Sequence, residues 1–360
     1  MVDKLNGDLL RLARQYRGFD QKELAASLNV DAATISRAEN GVVEPTKATI
    51  QLASEKLGFP VEFFYLSDRV FGLPLSSHPM WRKRKSVTQR DRDQALAEFN
   101  LRILHLRRLL RSLEFAPKLP LPRYEVDDYQ GDIEAIAAAI RLAWQVPRGP
   151  IQDLTAVAES AGIIVFNIDS EQSDIDGATI QVPDLPPCVF LNKNMPADRM
   201  RFSLAHEIGH IVMHRFPSED MEVEANKFAA ALLVPRNDVH NDFAARRIDL
   251  QRLAQLKPIW KVAMQSLLMR ATELGYLDKS RAPYIWRQFN YHRYKTREPA
   301  ELDFPRERPV LVQRLFDLHS NDLGYTPSEL AKALFARFAD LSALYGLSEP
   351  QQRSVLRLVT

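Results

Sequence analysis

A chain of 360 residues, 46% of them hydrophobic, has room for two or three globular domains, and its net charge of +2 is too small to argue for nucleic-acid binding without a local motif. One cysteine, Cys188, excludes an intramolecular disulfide framework and a Cys-rich zinc cluster, so a metal would have to be held by the eight histidines and by carboxylates. No stretch approaches the roughly 18 apolar residues that span a bilayer, and the first residues lack the apolar core of a signal peptide, which predicts a cytoplasmic protein without a membrane partner.

Residues 1–65 read as four or five short helices, closed by Gly58-Phe59-Pro60. Asp20 and Glu23 form a capping-box pair at the start of one helix, and Asp31 is placed to cap the next. Asn29 suits a left-handed turn between the two, and Leu24 and Ile35 can meet in a core. From Leu66 to about Lys85 the periodicity is lost around Pro74 and Pro79. The run Trp81-Arg82-Lys83-Arg84-Lys85 reads as a solvated linker, with a phosphate contact as the alternative. Residues 78–111 hold ten Lys/Arg against three Asp/Glu. Between Thr88 and Leu113 a long helix is predicted, with Leu96, Phe99, Ile103, Leu106, Leu110 and Leu113 recurring at helical steps and Arg on the other face. The proline-rich stretch Ala116 to Pro122 ends it.

Residues 130–162 look helical. Gly162 to Ile168 and Cys188 to Leu191 look like strands, with a turn at Asp176-Gly177 between them. Two helices follow, from about Pro196 to His214 and from about Met221 to Leu233, where Val234-Pro235 stops the second. Leu250 to Leu274 reads as helix, then comes a polar and aromatic stretch to about Pro305. Helices from Pro309 to the end name no chemistry. The fold class is therefore mainly α with a small β-sheet (α+β). Its divisions are 1–65, a linker and long helix at 66–122, a domain at 123–280 and a C-terminal helical region at 281–360.

Within the first of the two middle helices stands His206-Glu207-Ile208-Gly209-His210. Residues four apart share a helix face, so both histidines can bind one cation while Glu207 reaches the edge of that site. Zinc needs a third protein ligand and an open position for water, and a neighbouring glutamate can then take the water's proton. Glu222 on the following helix can ligate, and Asn226, one turn on, can orient a ligand by a hydrogen bond. Glu224 competes with Glu222, but points about 200° away, so only one of them can face the metal. His214 lies two turns from His206, roughly 12 Å along the axis, too far to share an ion. It reads as a helix-end residue. A third histidine six residues after the second is absent, since Phe216 stands there and Met213 replaces the intervening glycine. Cys188 reads as a buried strand cysteine, with a thiolate latch on the metal as the rarer alternative.

The segment Arg201-Phe-Ser-Leu-Ala-His206-Glu-Ile-Gly-His210-Ile-Val-Met-His214, followed by Glu222-Val-Glu-Ala-Asn226-Lys-Phe-Ala-Ala-Ala-Leu-Leu-Val-Pro235, resembles the ImmA/IrrE family of metallopeptidases. The likeness extends from Val189-Phe190-Leu191-Asn192 to Leu256-Lys-Pro-Ile-Trp-Lys-Val-Ala-Met264, within roughly residues 130 to 280. The resemblance implies a thermolysin-like site with Zn2+ on His206, His210 and Glu222, and with Glu207 as general base. It also implies a protein substrate, often a helix-turn-helix repressor.

Residues 5 to 65, ending their central motif in Ile35-Ser-Arg-Ala-Glu-Asn-Gly41, resemble the phage-repressor-like, xenobiotic-response-element helix-turn-helix family. That resemblance implies binding of double-stranded DNA, with Ala32, Ala33, Ser36 and Arg37 on the recognition helix and Arg17, Gln21 and Lys47 near phosphates. Of these Arg37 alone offers a bidentate base reader, while Ala32 and Ala33 can touch only a thymine methyl. A protein-docking or dimerisation module is the alternative, and a homodimer is possible. The function expected is a DNA-associated zinc endopeptidase acting on a regulatory protein. The other readings are a transcription regulator whose peptidase domain is a sensor or scaffold, and an antitoxin-like partner of a toxin.

Overall fold

In the computed structural model, residues 4–72, 88–169, 175–278 and 280–347 are described, so the basic run 81–85 lies outside the described residues. They divide into two compact units. Residues up to 72, 88–115 and those from 311 onward form one; 116–310 form the other.

The first unit begins with α1 (Gly7–Tyr16), α2 (Gln21–Ser27), α3 (Ala32–Glu39) and α4 (Lys47–Leu57). Asp20 and Glu23 cap α2 reciprocally, at 2.7 Å in each direction. Asn29 takes the left-handed turn at φ 55°. Asp31 occupies the position before α3 as predicted, yet its side chain accepts no hydrogen bond from that helix. Leu9, Leu24, Ile35, Ile50 and Phe63 are fully buried among these elements. Glu39 is buried against Arg14, whose Nη2 donates to it at 2.9 Å.

The long helix α5 (Gln89–Leu110) belongs to this unit, and it is buried on more than the predicted stripe. Phe99, Ile103 and Leu106 are buried as expected, but so are Leu101, Leu104, Arg102 and His105. Arg102 was expected on the solvated face. Instead it pairs with Glu98 and lies over the ring of Tyr345, whose hydroxyl is 2.9 Å from His105 Nδ1. The reason is that the C-terminal helices Leu311–Asp317, Pro327–Ala333 and Phe338–Tyr345 fold into the same unit and cover that face.

The second unit holds α6 (Ile133–Ala143), α7 (Leu154–Ser160), β1 (Ile164–Ile168), β2 (Gly177–Ile180) and β3 (Cys188–Asn192). The sheet order is β1-β3-β2, with β1 parallel to β3 and β2 antiparallel to it. Where the sequence suggested only a turn at Asp176-Gly177, the chain enters β2 directly. The sheet is followed by α8 (Ala197–Met213) and α9 (Met221–Leu233), and then by α10 (Arg236–Ala244), α11 (Leu250–Trp260), α12 (Met264–Glu273) and α13 (Arg281–Tyr291). The single helix expected over 250–274 is broken at Lys261, which takes φ 52°. Glu298 stabilises the break by accepting the backbone N–H groups of Met264 and Gln265 at 3.0 and 3.1 Å. The same carboxylate and Asp198 hold the buried ammonium of Lys257 at 2.8 and 2.6 Å. The helix α13 lies in the stretch read as polar and aromatic, with Ile285 and Phe289 turned into the core.

α8 and α9 pack closely because Gly209 has no side chain. A Cβ there would come within 3.1 Å of Phe228 Cδ1 and 3.3 Å of the Ala225 backbone. This close approach sets the spacing between the two helices that carry the candidate ligands.

Candidate metal centre

His206 and His210 project from one face of α8, one turn apart, with their Nε2 atoms 3.0 Å from each other and their rings in a T-shaped contact. From α9, Glu222 brings Oε2 to 3.5 Å from His206 Nε2 and Oε1 to 3.4 Å from His210 Nε2. The three residues thus place one ligand atom each within 4.8 Å of one another. Glu224 is turned away from this group and contacts His214. His214 is the residue at which α8 ends, as its position in the helix suggested.

The orientation of His206 follows from its neighbours. Asn226 donates its amide N–H to the Glu222 carbonyl at 2.7 Å, which leaves its Oδ1 facing His206 Nδ1 at 3.1 Å. Nδ1 of His206 therefore carries a hydrogen, and Nε2 is the atom that faces Glu222 and His210. The carboxylate makes the site strongly negative. Burial alone would push the Glu222 carboxyl up, but the imidazoles of His206 and His210 beside it outweigh burial and hold it at about 2. Burial would likewise push His206 down, yet Glu222, Glu207 and Asn226 together raise it. A field that draws a proton onto His206 also draws a cation.

The donor set fits zinc on geometric grounds. Four-coordinate zinc with arms of about 2.0–2.1 Å has tetrahedron edges of about 3.3 Å, and the Nε2–Nε2 and Nε2–Oε separations are 3.0, 3.5 and 3.4 Å. Glu222 Oε1, although buried, accepts no hydrogen bond from any described residue. Such an atom is costly to leave unsatisfied, and a cation would compensate it.

Glu207 is buried on the sheet side of α8, at 4% exposure. Thr179 on β2 donates its hydroxyl to Glu207 Oε2 at 2.6 Å. Gly177 on the same strand leaves room for the carboxylate, since a Cβ there would stand 3.3 Å from both Cγ and Oε1 of Glu207. Thr179 was not singled out by sequence and Gly177 was read only as a turn residue, because β2 itself was not read. Cys188 lies buried in β3, where burial pushes its thiol far up from the ordinary value and suppresses the thiolate that a latch on the metal would need.

In the first unit, Ala32, Ala33, Ser36 and Arg37 all fall on α3, with Ala33 and Arg37 exposed. Lys47 is exposed at the first position of α4. Arg17 and Gln21 are committed to partners within the unit. Arg17 donates to both carboxylate oxygens of Asp340, at 2.7 and 2.6 Å, and Gln21 Nε2 donates to Glu39 at 2.8 Å.

Residues 158–272 match a peptidase family described as the IrrE N-terminal-like domain, and residues 10–64 match a helix-turn-helix family. The chain matches no curated protein. No helix among the described residues is long and apolar enough to cross a membrane.

Proposed function

Because the chain joins a DNA-binding helix-turn-helix domain to an IrrE/ImmA-like peptidase domain, we propose that it is a DNA-associated zinc metalloendopeptidase that cleaves a regulatory protein such as a helix-turn-helix repressor. The observation that carries this reading is the convergence of His206, His210 and Glu222 at tetrahedral edge lengths, with Glu207 on the adjoining face of the same helix.

Zinc held by these three residues would supply Lewis acidity, lowering the pKa of water and polarising a peptide carbonyl. Glu207 is the general base: it takes the proton of the attacking water and returns it to the leaving amine. Thr179 fixes one oxygen of that carboxylate through its hydroxyl, which leaves the other, beside Gly177, to handle the proton. Asn226 orients His206 through Nδ1, so that its Nε2 is available as a donor to the metal. On α3, Arg37 serves as the base reader, with Ala32, Ala33 and Ser36 against the groove, and Lys47 at the start of α4 serves as a phosphate contact. Arg17 and Gln21 contribute by holding the unit together unless DNA draws them from Asp340 and Glu39.

The test is metal analysis of the purified protein, together with incubation of wild type and Glu207→Gln with repressor-like proteins encoded beside it. One equivalent of zinc and a cleavage lost in Glu207→Gln support the proposal. Identical behaviour of the two proteins on every candidate, with the chain still shifting its own promoter DNA, would instead make it a regulator whose peptidase domain senses or scaffolds.

A further inference from the structure

On the side of His210 away from His206, its Nδ1 lies 2.9 Å from Nδ1 of His214, and Nε2 of His214 lies 3.0 Å from Oε2 of Glu224. His210 and His214 are only 2% and 6% exposed, so water does not compete for these nitrogens. The direction of each bond then follows from the end of the chain. An ionised carboxylate only accepts, so Nε2 of His214 is the donor. A neutral imidazole that donates from Nε2 carries its lone pair on Nδ1, so His210 must donate from Nδ1. What remains on His210 Nε2 is a lone pair, on the atom 3.0 Å from His206 Nε2 and 3.4 Å from Glu222.

We propose that His214 and Glu224 are positioning residues that lock His210 into the Nδ1–H tautomer and so keep its Nε2 as the ligating atom. This rests on the metal-centre reading above. The backbone supports the arrangement. His214 leaves the helix at φ −111°, ψ 109°, while its N–H still bonds the carbonyl of His210 at 3.1 Å, and its ring lies against that of His210 with centroids 5.0 Å apart. α9 therefore serves the site twice, Glu222 facing the ligand atoms and Glu224 backing the relay. His206 has only a neutral amide behind it, in Asn226. An acceptor at the end of a histidine pair fixes the ring orientation and tautomer of the ligating histidine.

The experiment combines two readouts. Long-range proton–nitrogen NMR of metal-free protein with 15N-labelled histidine identifies the tautomer of each ring. The expected result is Nδ1–H for His210 in wild type and loss of that single state in Glu224→Ala. Competition with a chromophoric chelator gives zinc affinity, which should fall about 10- to 100-fold in Glu224→Ala and in His214→Phe. Glu224→Gln, which keeps an accepting oxygen, should stay within about threefold of wild type, a recovery that loss of packing would not give. Should His214→Phe fail to fold, Glu224→Ala carries the test, since that side chain is 21% exposed. The relay is overturned if wild-type His210 is protonated on Nε2, or if folded Glu224→Ala binds zinc within about twofold of wild type. Failure of wild type itself to bind zinc would overturn the metal centre, whatever the tautomers show.

Discussion

Replacing Glu222 by Gln in metal-free protein removes a charge that folding has placed beside two imidazoles. Folding moves this carboxyl from 4.5 to about 2, and at about 1.36 kcal/mol per unit the charged form stabilises the fold by about 3 kcal/mol. The side chain is only 22% exposed, so solvent screening does not dissolve that figure. A depressed carboxyl contributes above its unfolded value of 4.5 and loses the contribution as pH falls towards about 2. His206 is raised above 6.5, so its share is fully present below 6.5 and is lost as pH rises through the raised value. These are two ends of one interaction and are not added. The stability difference between wild type and Glu222→Gln should therefore be largest between pH 4.5 and 6.5 and shrink on both sides. Urea unfolding in a chelator, from about pH 3 to about pH 9, measures it, with the fluorescence of Trp144, Trp260 and Trp286 as the probe of this unit. A difference that is constant with pH, or that grows above about pH 8, would refute the electrostatic account.

Three further outcomes are expected. Glu39→Ala leaves the guanidinium of Arg14 buried without its carboxylate and should cost the first unit about 3–5 kcal/mol; a loss under about 1 kcal/mol in chemical unfolding would mean that water replaces the pair. Gly177→Ala crowds Glu207 from 3.3 Å and should lower turnover about tenfold or more, while bound zinc stays at the wild-type level; unchanged turnover with intact zinc would show that the carboxylate shifts freely. The Cys188 thiol, pushed up by burial, should react with an alkylating reagent far more slowly in the native protein than in urea, and equal rates would contradict its burial.

The parts of the fold that could be read in advance are those with local causes. The capping pair at Asp20 and Glu23, the left-handed Asn29, and the one-turn spacing of His206 and His210 depend on a few neighbouring residues. Glu222 and Glu224 could be ranked only by the angle between them on a helix, and the structure shows where each points: one to the ligand atoms, the other to His214. What could not be read depends on distant chain. β2 has four residues, Gly-Ala-Thr-Ile, with no alternating pattern, and becomes a strand because β3 pairs with it. With β2 unread, the hydroxyl that orders Glu207 was invisible. Arg102 was placed on the face opposite the apolar stripe because the residue that covers it, Tyr345, stands some 240 positions later.

That separation bears on how the chain is made. Residues 311–345 are synthesised after the whole of 116–310, yet they complete the unit that begins at the N-terminus. During synthesis the helix-turn-helix core can close early, whereas the side of α5 around Arg102 and His105 stays uncovered until residues 311–345 emerge. Nascent chains that stall or end before residue 345 should expose that helix face, and so be captured by chaperones or degraded, even though their second unit is fully present.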